Sequence, residues 1–231
     1  EEFRETRIYS ALLRSLGNGV TDVAGLSQHL GLDAKIVSRY LDSLIELKFV
    51  KRKVPAGEDP QKSRRGQYGL ADRFLHFYFH FIFPQLQNIE QGMTKTVSEF
   101  LRKNFDAYVG KFVFEPLCIQ WLKKKVDQGE WNCSPQNIDE YWDKEMQVDV
   151  LGIDSHDQIL LVGECKWTNE KVGVSVLEEL QKKAELLSQK KGYHAQTVLF
   201  SRSGFTSQTV EKAKKWNTKL VGLDEIFDNK G

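Results

Sequence analysis

Residues 146–167 read MQVDVLGIDSHDQILLVGECKW. Two runs rich in Val, Ile and Leu flank Asp154-Ser155-His156-Asp157, which is the pattern of a β-hairpin. With the turn symmetric about Ser155 and His156, Gln147 faces Glu164 and Asp149 faces Val162. Side chains alternate along each strand, so Gln147, Asp149, Glu164 and Lys166 share one face, while Gly163 and Cys165 point the other way. Two carboxylates and a lysine thus converge on otherwise apolar strands. A one-residue slip would separate them.

The flanks extend this hairpin into a sheet. Downstream, residues 173–190 place Val174, Val176, Leu177, Leu180, Ala184 and Leu187 at helical spacing. Strand 196–201, helix 206–216 and strand 219–222 follow, and this alternation gives an α/β domain with a mixed sheet. Gln181 and Lys182 on the first of these helices are expected near the charged face. Upstream, residues 98–126 read as helical with a break or fresh start at Pro116. Glu115 sits there among Phe112, Phe114 and Leu117, where a carboxylate is expensive to bury without a partner or cation.

Carboxylates on one face repel unless a cation lies between them. Asp149 and Glu164 suit a hard divalent ion, Mg²⁺ or Mn²⁺, together with a backbone carbonyl and water. Lys166 beside them can stabilise developing phosphate charge or help activate metal-bound water. This is the chemistry of metal-assisted phosphodiester hydrolysis. The plainer alternative is an ion pair of Lys166 with Asp149 or Glu164 on a half-exposed sheet face.

The first 84 residues have a different character. Ile8, Leu12, Leu13 and Leu16 mark a helix over 5–16, broken by Gly17-Asn18-Gly19. Thr21 opens a second helix with Val23, Leu26 and Leu30 inward, and Gly31 closes it. Asp33 caps a third, carrying Ile36, Val37, Leu41, Leu44 and Ile45. Phe49-Val50, a basic Pro/Gly-rich loop over 54–67 and Tyr68-Gly69-Leu70 complete a hairpin. Three helices plus a hairpin is the winged helix-turn-helix pattern, in which the third helix enters the DNA major groove and the wing touches phosphates. Lys35, Ser38 and Arg39 on the third helix, with Arg64 and Arg65 in the wing, are the candidate DNA contacts. Asp33, Asp42 and Glu46 dilute that helix's positive charge.

Residues 71–84, ADRFLHFYFHFIFP, form an aromatic helical segment opened by Asp72 and stopped by Pro84, with burial between two domains expected. His76 and His80 have the spacing of two helical zinc ligands, but no third ligand is identifiable and packing is the preferred reading. A polar helical connector spans 85–100, so the expected organisation is a winged helix over 1–84, the connector, and an α/β domain over 101–231.

Composition narrows the field. The chain has 231 residues, 40% hydrophobic and 28% charged, which excludes wholesale disorder and allows two small domains. The net charge is +1, yet residues 48–73 hold 8 Lys/Arg against 3 Asp/Glu, a local excess a phosphate backbone would feel. Cys118, Cys133 and Cys165 form no CxxC, arguing against a zinc ribbon or disulfide framework and for a reducing, cytoplasmic setting. No apolar run is long enough for a membrane helix. No GxxxxGK[ST] loop is present, so no nucleotide site is expected. The start at Glu1-Glu2 suggests a piece of a longer protein.

Asp149 followed by Glu164-Cys165-Lys166 resembles the D…(D/E)-x-K signature of the restriction-endonuclease-like, or PD-(D/E)XK, fold, and Glu115 resembles the superfamily's additional helical acidic residue. The order winged helix, YGLADRFLHFYFHFIFP, FEPLCIQWL, YWDKEMQVDVLGID and LLVGECKW is similar to the C-terminal region of archaeal-type P-loop ATPases, also found in bacteria. Gln147 stands where that family often has an acid, and Val148 where the superfamily motif has Pro. The resemblance implies a DNA-acting module whose ATPase part precedes Glu1, with Asp149, Glu164, Lys166 and Glu115 catalytic, Asp149 and Glu164 holding the metal, and DNA and the ATPase module as partners, with a homo-oligomer left open. Open alternatives are a non-catalytic DNA- or protein-binding regulatory region and a winged-helix transcription regulator.

Overall fold

The computed structural model describes residues 2–228, and the side chains of residues 5–228. The chain divides into two compact units: Glu1–Val54 with Glu58–Asn104, and Pro55–Gly57 with Phe105–Gly231. No helix among the described residues is long and apolar enough to cross a membrane.

In the first unit, α1 (Glu2–Gly17), α2 (Val23–Leu30) and α3 (Ala34–Glu46) precede the antiparallel strands β1 (Val50–Lys53) and β2 (Gln67–Leu70). Asp22, rather than the expected Thr21, caps α2 by accepting the Gly25 N–H at 2.8 Å. The Thr21 carbonyl instead accepts the Tyr68 N–H at 2.6 Å, which joins it to the hairpin. Gly31 ends α2 with φ 63°, a left-handed turn that costs glycine little. Asp33 caps α3 through the Lys35 N–H. The helical spacing of apolar residues gathers Leu12, Leu16, Leu26, Val37, Leu41 and Leu44 into one core with Val50 and Leu70.

The aromatic segment is not one regular helix. It runs through α4 (Arg73–Phe77, capped by Asp72), a π turn over Tyr78–Ile82 and a 3₁₀ turn over Phe83–Gln85 into α5 (Leu86–Glu90). Phe79 joins the core, whereas Phe74 is 70% exposed, so the aromatics are not uniformly buried. His76 and His80 stack at 6.2 Å, and His80 Nδ1 lies 2.9 Å from the Gly17 carbonyl oxygen. Then α6 (Thr94–Val109) begins inside the stretch expected as a connector.

The second unit holds a π turn over Gly110–Phe114, α7 (Glu115–Asp127) and a five-stranded sheet in the order β3-β4-β5-β6-β7. The strands are β3 (Ile138–Trp142), β4 (Gln147–Asp154), β5 (Ile159–Lys166), β6 (His194–Ser201) and β7 (Thr218–Gly222). The first three pair antiparallel and the last three parallel, joined by α8 (Val174–Lys191) and α9 (Ser207–Lys215), with α10 (Leu223–Phe227) at the end. The expected mixed α/β sheet is therefore present. Cys118, Trp121 and Leu122 of α7 pack with Val150, Leu161, Val198 and Phe200 on one face. Leu177, Leu180, Ala184 and Leu187 of α8 pack with Leu151, Leu160, Val162 and Leu199 on the other. β5, covered on both faces, reads accordingly as a nearly unbroken apolar run. Edge strand β3 is met by the Ala56 N–H, which donates to the Glu140 carbonyl at 2.9 Å.

The β4–β5 register corrects the expected turn. Val150 pairs with Gly163, Leu151 with Val162 and Asp154 with Ile159, so Leu151, not Asp149, faces Val162. The turn residues are Ser155–Gln158, one residue further along. Asp154 is buried and its Oδ1 accepts the His156 and Asp157 N–H groups, while Gln158 takes φ 57°. This four-residue loop shifts the pairing by two residues. A shift of two preserves the faces, whereas a shift of one would have exchanged them.

Candidate functional site

Asp149, Glu164 and Lys166 come together where the β4–β5 ladder runs out. The paired residues end at Val150–Gly163, and beyond them the Asp149 side chain takes over, its Oδ2 accepting the Cys165 N–H at 2.8 Å. On its other side β4 bulges. Asp139 pairs with Leu151 and Tyr141 with Val148, leaving Glu140 opposite both Asp149 and Val150. A bulge re-aims the side chains it carries. Continuing the β4–β5 register brings Asp149, rather than Gln147, opposite Glu164.

Glu164 is 6% exposed, and both of its oxygens are held. Lys166 Nζ donates to Oε1 at 2.6 Å, and Lys183 Nζ, from α8, donates to Oε2 at 2.8 Å. Both lysine side chains keep about a third or less of their surface exposed, 30% and 27%. The site is thus a buried carboxylate between two half-buried ammonium groups, with a second carboxylate beside it.

Electrostatics separate the roles. Burial and then the Glu164 charge push Asp149 up to about 6, against the pull of the Cys165 N–H, Lys166 and Lys183. Burial alone would lower Lys166. The hydrogen bond and charge of Glu164, with Asp149 and Glu179, outweigh it and leave Lys166 above its ordinary value. Lys166 is therefore a firmly held ammonium in the free protein, suited to electrostatic stabilisation rather than proton abstraction. Cys165 between them points to the α7 side, where burial and contact with the Cys118 thiol push it well up. It acts on the site through its backbone N–H.

Glu115 occupies the first position of α7, after the π turn and before Pro116. Its charge is among those that raise the Cys165 thiol, which brings it to the α7 side of the strand carrying Glu164 and Lys166. Trp167 is fully engaged: its Nε1 donates to Asp106 Oδ1 at 3.1 Å, the Arg202 guanidinium lies 4.4 Å from its ring, and Phe114 packs at 5.1 Å.

Lys183 is the site residue that sequence reasoning missed. Lys182, expected there, is exposed. Gln181 donates to Thr197 Oγ1 and Thr218 Oγ1 instead, over β6 and β7. The signal was the helical stripe: Lys183 lies three residues after Leu180 and four before Leu187, both buried, so it flanks the sheet-facing side of α8.

The donor set suits a hard divalent ion. Among the described residues no group of three or more His, Cys, Asp or Glu side chains is placed to hold a metal; Asp149 and Glu164 are two oxygen donors, which a hard ion would need to complete with backbone carbonyl and water. Mg²⁺ is commonly bound through one or two carboxylates in this way.

In the first unit, Lys35 and Arg39 are exposed on α3 and Ser38 is half-buried, and the Arg39 guanidinium lies 5.3 Å from the Tyr40 ring. Arg64 is exposed. Arg65 is engaged within the β1–β2 loop, paired with Glu58, which also accepts the Ser63 hydroxyl. Arg52 braces the same loop by donating to the Pro60 and Ser63 carbonyls at 2.6 and 2.7 Å.

The chain is similar to an uncharacterized protein of Methanocaldococcus jannaschii, 30% identical over 173 residues that cover 74% of this chain and 38% of the relative. It thus spans well under half of that relative's length. Among solved structures, a repair endonuclease from Pyrococcus abyssi aligns at 17% identity and TM-score 0.37, over 47% of this chain and 46% of the other. Protein VC1899 from Vibrio cholerae aligns at 16% identity and TM-score 0.38, over 97% of this chain and 50% of the other. A family described as archaeal and bacterial proteins of unknown function matches residues 78–185, the stretch that contains Glu115, Asp149, Glu164, Lys166 and Lys183.

Proposed function

We propose that the second unit is a restriction-endonuclease-like domain that hydrolyses phosphodiester bonds in DNA with Mg²⁺ or Mn²⁺, and that the first is a winged helix that docks it on the duplex. The observation that carries this reading is the convergence of Asp149, Glu164 and Lys166 at the end of the β4–β5 ladder. Asp149 and Glu164 would hold the ion, which would supply Lewis acidity and a more acidic bound water. Lys166, an ammonium at neutral pH, would neutralise charge developing on the phosphate oxygens. The Cys165 N–H keeps Asp149 aimed, and Glu115 would assist from α7. Lys35, Ser38, Arg39 and Arg64 are the proposed DNA contacts, with Arg65 shaping the wing. The parent would be a cytoplasmic protein with an ATPase module before this region.

A second reading is favoured by one feature: both Glu164 oxygens are already satisfied by lysines, as in a structural ion-pair network. The unit would then be a non-catalytic regulatory region. Incubating supercoiled DNA with pure protein and Mn²⁺ separates the two. Nicking that needs the ion and disappears in Asp149→Ala and Lys166→Ala supports hydrolysis. Intact DNA binding without nicking by the wild type replaces it with the regulatory reading.

A further inference from the structure

Lys183 reaches Glu164 from a separate element, α8, and occupies the carboxylate oxygen that Lys166 leaves open. A carboxylate has about four acceptor positions on its two oxygens, so the two ammonium groups do not exhaust Glu164; they neutralise the charge that would draw a divalent cation and occupy its approach to each oxygen. Lys166 sits on the same strand two residues away, tied to Glu164 by the pleat of β5. Lys183 sits on a long flexible stem, 27% exposed, and can swing without moving backbone. A landing place is built into its own helix. Glu179 lies one turn before it, in the Glu-to-Lys i,i+4 order that favours pairing, and its charge already reaches the site through Lys166.

We infer that Lys183 is an internal competitor for the metal position: it closes Glu164 Oε2 until a divalent cation displaces it, and so sets the affinity of the site for that cation. The inference rests on Asp149 and Glu164 being the metal ligands. It assigns to Lys183 a regulatory role that is separate from the electrostatic role of Lys166. Cation entry would then be coupled to release of α8's ammonium toward Glu179 or toward an arriving phosphate.

The test is Mn²⁺ binding to the full 231-residue chain, followed by isothermal titration calorimetry and by the loss of the free Mn²⁺ electron paramagnetic resonance signal. Lys183→Gln removes the competing charge at similar length. Lys182→Gln removes the same charge one residue away on the exposed side of α8 and controls for general electrostatics. The expected result is about fivefold tighter Mn²⁺ binding in Lys183→Gln, as loss of a partly exposed ion pair implies, with Lys182→Gln within twofold of wild type and Lys183→Arg like wild type. Far-UV circular dichroism establishes that each variant is folded. Equal or weaker binding by Lys183→Gln, with Asp149→Asn abolishing binding, overturns the competitor role and leaves the metal site standing. Absence of Mn²⁺ binding in the wild type, or binding unchanged in Asp149→Asn, overturns the metal site and the competitor role with it.

Discussion

Asp149→Asn should make the second unit more stable at neutral pH. A carboxyl that ionises near 6 instead of its ordinary 3.8 carries a cost when charged. At about 1.4 kcal/mol per pH unit this approaches ~3 kcal/mol well above pH 6, and the partial exposure of Asp149 brings the expected figure to about 2 kcal/mol. Asparagine keeps an oxygen for the Cys165 N–H and removes the repulsion from Glu164. Between pH 3.8 and 6 the native state binds the proton more tightly than the unfolded chain, so wild-type stability falls as pH rises through that window. The advantage of the variant should therefore be small near pH 4, grow through pH 6 and level off above it. All five tryptophans, at 121, 131, 142, 167 and 216, lie in the second unit, so urea unfolding followed by tryptophan fluorescence reports on that unit without the first. Mn²⁺ at millimolar concentration should stabilise the wild type alone and narrow the gap. A variant less stable than wild type at pH 8, or an advantage that does not change with pH, would refute the assignment to Asp149 of a buried charge that its hydrogen bond and neighbouring lysines only partly offset.

Three further outcomes follow from the same geometry. Gly163→Ala would bring a methyl group to 2.9 Å from Val150 Cβ and Val198 Cγ1, so overpacking should cost about 1–3 kcal/mol in the same fluorescence assay. Asp33→Ala removes the cap of α3 and should cost about 1 kcal/mol, read by far-UV circular dichroism because the first unit holds no tryptophan. In fluorescence-anisotropy titrations with duplex DNA, Lys35→Ala should weaken binding and lower the salt slope by about 1, whereas Arg65→Ala, which breaks the Glu58 pair, should change the stability of the β1–β2 loop more than the slope.

The local signals in the chain were strong where one physical rule dominated. Helical spacing of Leu12, Leu16, Val37 and Leu41 specified the first core, and Asp33 and Asp72 marked helix starts because their carboxylates accept N–H groups that have no other partner. The alternation in residues 146–167 specified a hairpin and put Asp149, Glu164 and Lys166 on one face, since side-chain direction has a period of two. Adjacent capping candidates were harder: Thr21 and Asp22 could each open α2, and the choice fell to Asp22 because the Thr21 carbonyl pairs with β2, a contact 47 residues away. The same holds for the site. Its register depends on Asp154 folding back onto the turn, and the bulge that turns Asp149 depends on β3, which pairs from outside the hairpin. Lys183 lies 19 residues beyond Glu164, and only the packing of α8 across the sheet distinguishes it from Lys182. Sequence alone determined which residues could form the charged face, because periodicity is local. The tertiary structure decided which of them meet and what holds each one, because that depends on strand pairing and helix packing between segments whose separation along the chain carries no such information.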